Sequence, residues 1–316
     1  MRNLLRDARL GSLALRFFYT PRGRLHNCLR EGGPFEQRRT ERGRAAMEAA
    51  ALTLPAPSPA AGTPLELYLL TGRRFWYQTA FCLWTFARHA CRPLAPVIYD
   101  DGTLTEEFCR PLRRLFPAAR FIAHAETIAR LDEHLPVAKF PTLRERWLNY
   151  PNIRKLIDPH LGGTGWKLVL DSDLLFFRRP DFLLHWLDTP DRPLHAVDCE
   201  TSYGYSRPLM NKLAGAPVAD LVNVGLTGLN SSELDWEQLE HWCSTLITQE
   251  KTSYYLEQAL IAMLMAGRPC AIAPVADYVT LPKPPEAHAC KAVMHHYVAH
   301  SKRWYFQQNW RLALSS

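Results

Sequence analysis

The sequence predicts an α/β protein whose central sheet is mainly parallel and covered by helices on both faces. From residue 64 onwards, short apolar runs alternate with longer helix-like stretches, which is typical of parallel strands joined by crossover helices. The apolar run Trp166–Leu170 is followed by Asp171 and Asp173, and open α/β sheets bind ligands at the carboxyl ends of their strands. A chain of 316 residues, 47% of them hydrophobic, can bury a sizeable core.

The first half of this region predicts three strands and two helices in order. Short apolar runs that end at turn residues indicate strands, and longer aromatic or amphipathic runs indicate helices. The predicted segments are a strand over 65–70 ending at Thr71 and Gly72, an aromatic-rich helix over 74–89, a strand over 96–99 ending at Asp100 and Asp101, a helix over 105–115 and a strand over 120–123.

The second half continues the same alternation. A mostly helical stretch over 144–161 is interrupted by Pro151 and Pro159, because proline lacks a backbone donor. It leads into the strand that precedes the two aspartates. A further strand over 221–230 and a helix over 254–265 complete the predicted elements.

The two aspartates at the end of their strand predict a cation site. Residues two apart on a strand point to the same face, so Asp171 and Asp173 can aim into one site. Paired carboxylates repel each other unless a cation or a proton lies between them. A hard divalent ion such as Mg²⁺ or Mn²⁺, carrying a diphosphate, suits these ligands. The alternative is an acidic loop that caps the next helix.

Two later segments of the sequence add further polar groups that could belong to this site. The strand over 221–230 is interrupted by Gly225, which indicates a bulge or close approach of the backbone to a ligand, and polar Asn223 precedes it. Glu257 and Gln258 stand in the first turns of the last predicted helix.

A late histidine and lysine could complete the site. His295 and His296 are followed by Lys302 and Trp304. An imidazole nitrogen can join carboxylates around Mn²⁺, and a lysine can neutralise phosphate charge. Each feature alone has a structural alternative, since a single histidine is more often part of the core than a ligand.

Taken in this order, the motifs resemble the GT-A fold nucleotide-sugar glycosyltransferases, most closely family eight, the glycogenin-like and galactosyltransferase-like type. The family's late motif runs His-x-x-Gly-x-x-Lys-Pro-Trp, and His296, Lys302 and Trp304 match its offsets. Ala299 and Arg303 stand at the glycine and proline positions, which is a departure from the motif.

Two further motifs of the family have counterparts in this chain. The family's Asn-x-Gly strand matches Asn223 and Gly225, and its Asp-Gln pair appears here as Glu257 and Gln258. The resemblance spans about residues 65–305. It implies a GT-A (Rossmann-like) nucleotide-diphospho-sugar transferase domain over 64–316, preceded by a basic segment and a Pro/Ala-rich linker within 1–63.

The resemblance also implies an activity. It implies transfer of a hexose from a nucleotide-diphosphate sugar, a UDP-sugar, to a glycan, lipid or protein acceptor, with retention at the anomeric carbon and with Mn²⁺ or Mg²⁺ as cofactor. Asp171, Asp173 and His296 would hold the metal, and Glu257 and Gln258 would be the catalytic candidates. The residues implied at the donor are Leu70, Thr71, Gly72, Asp100, Asp101, Lys155, Ser172, Asn223, Gly225 and Lys302.

The charge distribution and the cysteine content indicate which binding partners and which cellular compartment to expect. Residues 1–50 hold eleven arginines and five acidic residues, so most of the net charge of +7 lies there. The main body is near balance and predicts no nucleic-acid surface. The arginine-rich segment is either a terminal helix docked on the domain or a peripheral contact with the inner face of a membrane. Eight cysteines without a Cys-x-x-Cys pair favour reduced thiols in the cytoplasm.

Other functions remain open from the residues alone. A phosphatase of the haloacid-dehalogenase kind would use Asp171 as its nucleophile. A non-catalytic sugar-binding relative would keep the fold without turnover. The segment 197–205 mixes acids with aromatic residues, as sugar-binding loops do, and could equally be an ordinary polar loop.

Overall fold

The computed structural model describes residues 32–58 and 61–315 and contains two sheets. Its strands in chain order are β1 (Tyr68–Thr71), β2 (Val97–Asp100), β3 (Arg120–Ile122), β4 (Trp166–Leu170), β5 (Leu174–Phe176), β6 (Leu194–Val197), β7 (Val222–Asn230), β8 (Ala271–Ile272), β9 (Tyr278–Thr280) and β10 (Met294–His296). The larger sheet has the order β3-β2-β1-β4-β7-β6-β8.

The larger sheet is mostly parallel, as predicted. Strand β1 pairs in parallel with β2 and β4, β2 with β3, and β6 with β8. Strand β7 runs antiparallel to β4 and β6. All five predicted strands are present as β1, β2, β3, β4 and β7, with bounds that differ by at most three residues.

The strand order brings three chain segments to one edge of the larger sheet. The carboxyl ends of β1 and β4 lie there because these strands are parallel, and the first residues of β7 lie there because β7 is antiparallel to β4. The backbone N–H of Asp171 donates to the carbonyl of Gly225 across this edge at 2.8 Å. The aspartate motif and the Asn-x-Gly motif therefore meet.

The smaller sheet brings the late histidine to the same edge. Its order is β5-β10-β9, and β10 runs antiparallel to β5 so that His296 lies opposite Leu174. The N–H of Tyr297 donates to the carbonyl of Asp173 at 3.0 Å. These three short strands were absent from the sequence prediction, yet they place His296 beside the aspartate motif.

Helices cover the sheet and match the prediction in part. They are α1 (Pro34–Ala51), α2 (Trp76–Ala90), α3 (Glu106–Leu115), α4 (His124–His134), α5 (Pro141–Asn149), α6 (Arg154–Ile157), α7 (Asp181–Asp188), α8 (Arg207–Ala214), α9 (Trp236–Glu250), α10 (Leu256–Leu264), α11 (Pro284–Ala289), α12 (Lys302–Trp304) and α13 (Trp310–Ser315), with a π-helix over Tyr305–Asn309. Helices α2, α3 and α10 were predicted. The stretch over 144–161 is broken into α5, a 3₁₀ turn and α6, as its prolines indicated.

Helix α1 packs on the domain whose start the sequence analysis predicts at residue 64. Met47 and Ala51 are fully buried in the same hydrophobic cluster as Leu69 of β1 and Phe81 of α2. A β-carbon at Gly43 would lie only 2.1 Å from the carbonyl oxygen of Phe306, so α1 and the π-helix approach closely. The domain boundary at residue 64 stays a prediction.

Several expectations concern the first residues and the cysteines. The proposed membrane contact rests mainly on residues 1–31, which lie outside the described residues. No helix within the described part of the chain is both long and apolar enough to cross a membrane. The seven cysteines of that part carry free thiols, and Cys82, Cys109 and Cys243 are buried.

Candidate active site

The two aspartates converge on one histidine at the carboxyl end of β4. Asp171 follows β4 directly, and a turn at Ser172 and Asp173 leads into β5, so the carboxylates meet through this turn and not through the alternation of an extended strand. The Nε2 atom of His296 lies 3.6 Å from Oδ2 of Asp171 and 3.3 Å from Oδ1 of Asp173. One potential ligand atom from each residue lies within 4.8 Å of the others.

Two lysines flank the aspartates from opposite sides. Nζ of Lys155, in α6, lies 2.7 Å from Oδ1 of Asp171, and Nζ of Lys302, in α12, lies 3.0 Å from Oδ2 of Asp173. Burial by itself would raise the pKa of both carboxyl groups. The lysine charges and the His296 ring together outweigh it, and the pKa of each aspartate is lowered. Both aspartates are therefore ionised at neutral pH.

His296 is held in place by the Asn-x-Gly motif of β7. Its Nδ1 lies 3.1 Å from Oδ1 of Asn223. A β-carbon at Gly225 would lie 2.1 Å from Cε1 of the imidazole ring, so only glycine leaves room for this ring. Of the two possibilities that Gly225 indicated in the sequence, a bulge or a close approach, the structure shows a close approach of β7 to a site residue.

The donor set of the cluster fits a hard divalent cation. Oδ1 of Asp173 and Nε2 of His296 are buried, and neither has a hydrogen-bond partner of acceptable geometry in the described part of the chain. Buried polar atoms are rarely left in that state. Burial opposes the imidazolium, but the nearby carboxylates of Asp171 and Asp173 outweigh it and raise the pKa of His296 to about 9. The site thus attracts a positive charge, either a proton or a metal ion.

The Glu-Gln pair lies across from the aspartates at the start of α10. Oε1 of Glu257 is buried and lies 3.4 Å from Nζ of Lys155. Burial raises the pKa of Glu257 to about 7, although the Lys155 charge opposes this. Gln258 donates through Nε2 to the carbonyl of Val222 at 2.9 Å, which ties α10 to β7.

No protein-family model matches the sequence, and no curated protein matches it. Solved structures do share its architecture. The xyloside xylosyltransferase 1 of mouse, in its apo form, is 14% identical and aligns over 74% of this chain and 97% of its own, with a TM-score of 0.51. The galactosyltransferase LgtC, in complex with donor and acceptor sugar analogues, is 14% identical and aligns over 79% of this chain and 96% of its own, with a TM-score of 0.51.

These two structures are GT-A glycosyltransferases. The chain has the GT-A fold. At 14% identity the likeness concerns the fold, because one fold can carry many activities. The finer resemblance to family eight stays a prediction.

The cleft of this GT-A fold runs from the end of β1 across the aspartates to α10. Predicted donor residues that line it beside the aspartates include Leu70, Thr71, Asp101, Ser172 and Lys302. Its other half has a volume of about 460 Å³ and includes Lys155, Asn223, Gly225, Glu257 and Gln258.

Gly72 follows β1 and Asp100 ends β2, and the predicted contact of both residues with the donor stays a prediction. Oδ1 of Asp100 accepts the backbone N–H groups of Gly102 and Leu104, so its side chain is used within its own turn. A β-carbon at Gly72 would lie 2.0 Å from the carboxylate of Asp101, so Gly72 makes room for that side chain.

Several residues of the GT-A cleft were missing from the predicted site. Asp198 and Glu200 line it and belong to the segment 197–205, which the sequence analysis left open between a sugar-binding loop and an ordinary polar loop, whereas Tyr203 of that segment is buried in the core. Tyr254 and Tyr255 stand at the mouth, and Tyr254 is 73% exposed. An exposed aromatic pair beside the Glu-Gln motif was the signal that could have indicated them.

Proposed function

We propose that the protein is a metal-dependent glycosyltransferase that moves a hexose from a UDP-sugar to an acceptor. The observation that carries this is the cluster of Asp171, Asp173 and His296, flanked by Lys155 and Lys302, at the strand edge of a GT-A fold. Hexose transfer with retention follows from the family resemblance of the motifs. Fold neighbours that are glycosyltransferases support the reaction class.

The leaving group explains the charges of the cluster. Cleavage of the bond between sugar and phosphate leaves a nucleoside diphosphate with additional negative charge. Asp171, Asp173 and His296 would hold a Mn²⁺ or Mg²⁺ ion, which would supply Lewis-acid stabilisation of that charge. Lys302 shares the cleft with Asp173 and Ser172 and adds a fixed positive charge where the negative charge develops.

The opposite wall suits the sugar. Glycosyl transfer passes through a state with positive charge at the anomeric carbon. Both hydrogens of the Gln258 amide are used by the protein, so its carbonyl oxygen is the group left to face that carbon. Glu257 lies buried beside Lys155, where it can hold a sugar hydroxyl or stabilise the same positive charge.

The acceptor meets the mouth of the cleft. Tyr254 and Tyr255 stand there with their rings 5.4 Å apart and nearly perpendicular. The Tyr150 hydroxyl donates to the carbonyl of Tyr254 and fixes this segment. Sugar rings pack on such aromatic faces, which supports a glycan acceptor, with lipid and protein acceptors as alternatives. The free thiols support a cytoplasmic enzyme, and the arginines of residues 1–31 support peripheral contact with the inner face of a membrane.

Thermal unfolding with a panel of nucleotides and nucleotide sugars, each with and without Mn²⁺, tests the proposal. A ligand that binds only the folded state stabilises it by about 2.7 kcal/mol at a hundredfold excess over its dissociation constant. We expect stabilisation by UDP or a UDP-sugar that requires Mn²⁺ and is lost in Asp173→Asn. Stabilisation by Mg²⁺ with a phosphate mimic, and by no nucleotide, would instead favour the haloacid-dehalogenase alternative. Binding of UDP-sugars without hydrolysis or transfer would favour the non-catalytic alternative.

A further inference from the structure

Both carboxylate oxygens of Asp198, the residue after β6, accept hydrogen bonds from other groups of the protein. Its Oδ1 accepts the backbone N–H of Cys199 at 2.8 Å. Its Oδ2 accepts two side-chain amides, Nδ2 of Asn223 at 3.1 Å and Nε2 of Gln258 at 3.0 Å. Asp198 lines the cleft itself, and its hydrogen bonds hold two other cleft residues, Asn223 and Gln258, in place.

These bonds fix the orientation of the Asn223 amide. Its Oδ1 accepts the backbone N–H of Gly225 at 3.0 Å, and a backbone N–H can only donate. Its Nδ2 faces the carboxylate of Asp198, which can only accept when ionised. A flipped amide would lose both bonds, so the side chain has one acceptable orientation.

The orientation of Asn223 in turn fixes the proton of His296. Nδ1 of the ring lies 3.1 Å from Oδ1 of Asn223, an acceptor, so Nδ1 must carry a hydrogen and donate it. In the neutral ring the other nitrogen, Nε2, then presents its lone pair. This is the nitrogen that faces Asp171 and Asp173.

The same carboxylate orients the catalytic candidate Gln258. One hydrogen of its Nε2 goes to Asp198 and the other to the carbonyl of Val222. Both donors of the amide are therefore used, and the amide cannot rotate without losing them. The carbonyl oxygen of Gln258 is left as the polar atom offered to the cleft.

We propose that Asp198 is the positioning residue for both halves of the site: through Asn223 it directs Nε2 of His296 at the metal position, and directly it directs the Gln258 carbonyl at the sugar position. The proposal rests on the proposed function, because the metal and the sugar are those of that reaction. The group that accepts the second ring N–H of a metal-binding histidine holds the ring tautomer, and its loss typically lowers metal affinity 10–100-fold. Here that group is Asn223, and Asp198 fixes its orientation.

Asp198→Asn tests the metal half by direct binding of Mn²⁺, followed by the electron paramagnetic resonance of the free ion. The amide of this variant must turn a donor toward either Cys199 or the pair Asn223 and Gln258, so one of these contacts becomes donor against donor. We expect a loss of Mn²⁺ affinity of about 10-fold or more. Asp188→Asn, at an exposed aspartate paired with Arg92, is the matched control and should bind as the wild type does.

The exchange variant Asp198→Asn with Asn223→Asp separates positioning from a general structural role. Aspartate at 223 accepts from Gly225, from Nδ1 of His296 and from the new amide at 198, so complementarity returns on the metal side. The amide at 198 still opposes Nε2 of Gln258. We expect Mn²⁺ affinity to recover toward the wild-type value while hydrolysis of the UDP-sugar stays low. If Asp198 had only a general structural role, the exchange would restore both Mn²⁺ affinity and hydrolysis, or neither of them.

The outcomes separate the two proposals. Equal Mn²⁺ affinity in wild type and Asp198→Asn overturns the positioning role alone, whereas a wild-type protein that binds no Mn²⁺ overturns the proposed function together with it. Wild-type protein that binds Mn²⁺ but transfers no sugar rejects the proposed function and leaves the metal half standing. A measurement without variants uses ¹⁵N-labelled histidine in Mg²⁺-saturated protein: a proton on Nδ1 of His296 is expected, and a proton on Nε2 overturns the proposal.

Discussion

At the scale of single residues, the site depends on one glycine that leaves space for the metal-site histidine. A β-carbon at Gly225 would overlap the His296 ring, with 2.1 Å to Cε1 and 2.6 Å to Nδ1. The ring cannot retreat, because it is fully enclosed and bonded to Asn223. We therefore predict that Gly225→Ala displaces His296 and lowers Mn²⁺ affinity at least 10-fold, as measured by titration calorimetry.

The control for this prediction is Gly163→Ala. A β-carbon at Gly163 would meet the amino end of Lys167, a flexible side chain that can move away. We expect this variant to bind Mn²⁺ as the wild type does. Wild-type affinity in Gly225→Ala would show that His296 is not required at the site.

A site residue could be predicted where a motif fixes its spacing from other residues. It could not be predicted where its role depends on a contact that only the fold creates. Asp171 and Asp173 stand at the end of an apolar run, and the structure brings them together with His296, which the resemblance had selected by its offset from Lys302. Asp198 has no motif of its own. Its bonds to Asn223 and Gln258 join residues that are 25 and 60 positions away, so no local pattern indicates them.

At the scale of elements, the sequence predicted strands β1 to β4 and β7, but neither the strands of the smaller sheet nor the 15-residue helix α9. Strand β4 is present with the predicted bounds, since five consecutive apolar or amphipathic residues before a turn carry a recognisable pattern. Strands β5, β9 and β10 have three residues each, which shows no alternation by itself; β3 is equally short and was predicted from the alternation of strand-like and helix-like stretches around it. They exist because they pair with one another, and that pairing is long-range.

Helix α1 provides a second test at this scale, because it contacts the segment that carries Lys302. Gln307 of the π-helix donates to Glu36 and Thr40 of α1, and Gly43 lies against the carbonyl of Phe306. Alanine normally stabilises a helix relative to glycine by about 1 kcal/mol. We predict the opposite for Gly43→Ala: a net loss of about 1–2 kcal/mol in the free energy of unfolding by urea, since a backbone oxygen cannot yield to the added methyl group.

Limited proteolysis of the same variant checks the cause. The arginines of α1 are exposed but held in a helix; detachment of α1 should let this helix unfold, so that trypsin cleaves at them while the rest of the domain is cleaved as in the wild type. The control Glu41→Ala changes an exposed position of α1 that is not a trypsin site and should alter neither measurement. Stability equal to or above the wild type in Gly43→Ala would contradict the close packing of α1.

At the scale of the whole molecule, positive charge is concentrated in the part of the chain that precedes α1. Residues 1–31, outside the described residues, contain seven arginines and two acidic residues. Each basic residue near an anionic membrane contributes about 1 kcal/mol to binding. We predict that deletion of residues 1–31, which leaves α1 in place, weakens sedimentation with phosphatidylserine vesicles at least 10-fold. Neutral phosphatidylcholine vesicles are the control, and equal binding of both proteins to anionic vesicles would exclude membrane contact by this segment.

Global stability should depend on pH through a histidine outside the site. His160 is buried, shares a hydrogen bond of 2.9 Å with Ser231, and is kept neutral because burial lowers its pKa to about 3, with the Lys167 charge adding to this effect. The unfolded chain takes up its proton near pH 6.5. The native state therefore gains stability from the neutral ring above pH 6.5 and loses it as the pH falls toward 3, by about 2 kcal/mol at pH 5. Urea unfolding of wild type and His160→Gln at pH 7.5 and 5 should show a loss that is about 2 kcal/mol smaller in the variant, in which other buried histidines such as His295, whose pKa burial lowers to about 4, still contribute. His241→Gln, at an exposed position, should follow the wild type, and an equal loss in His160→Gln would assign the acid sensitivity to other groups.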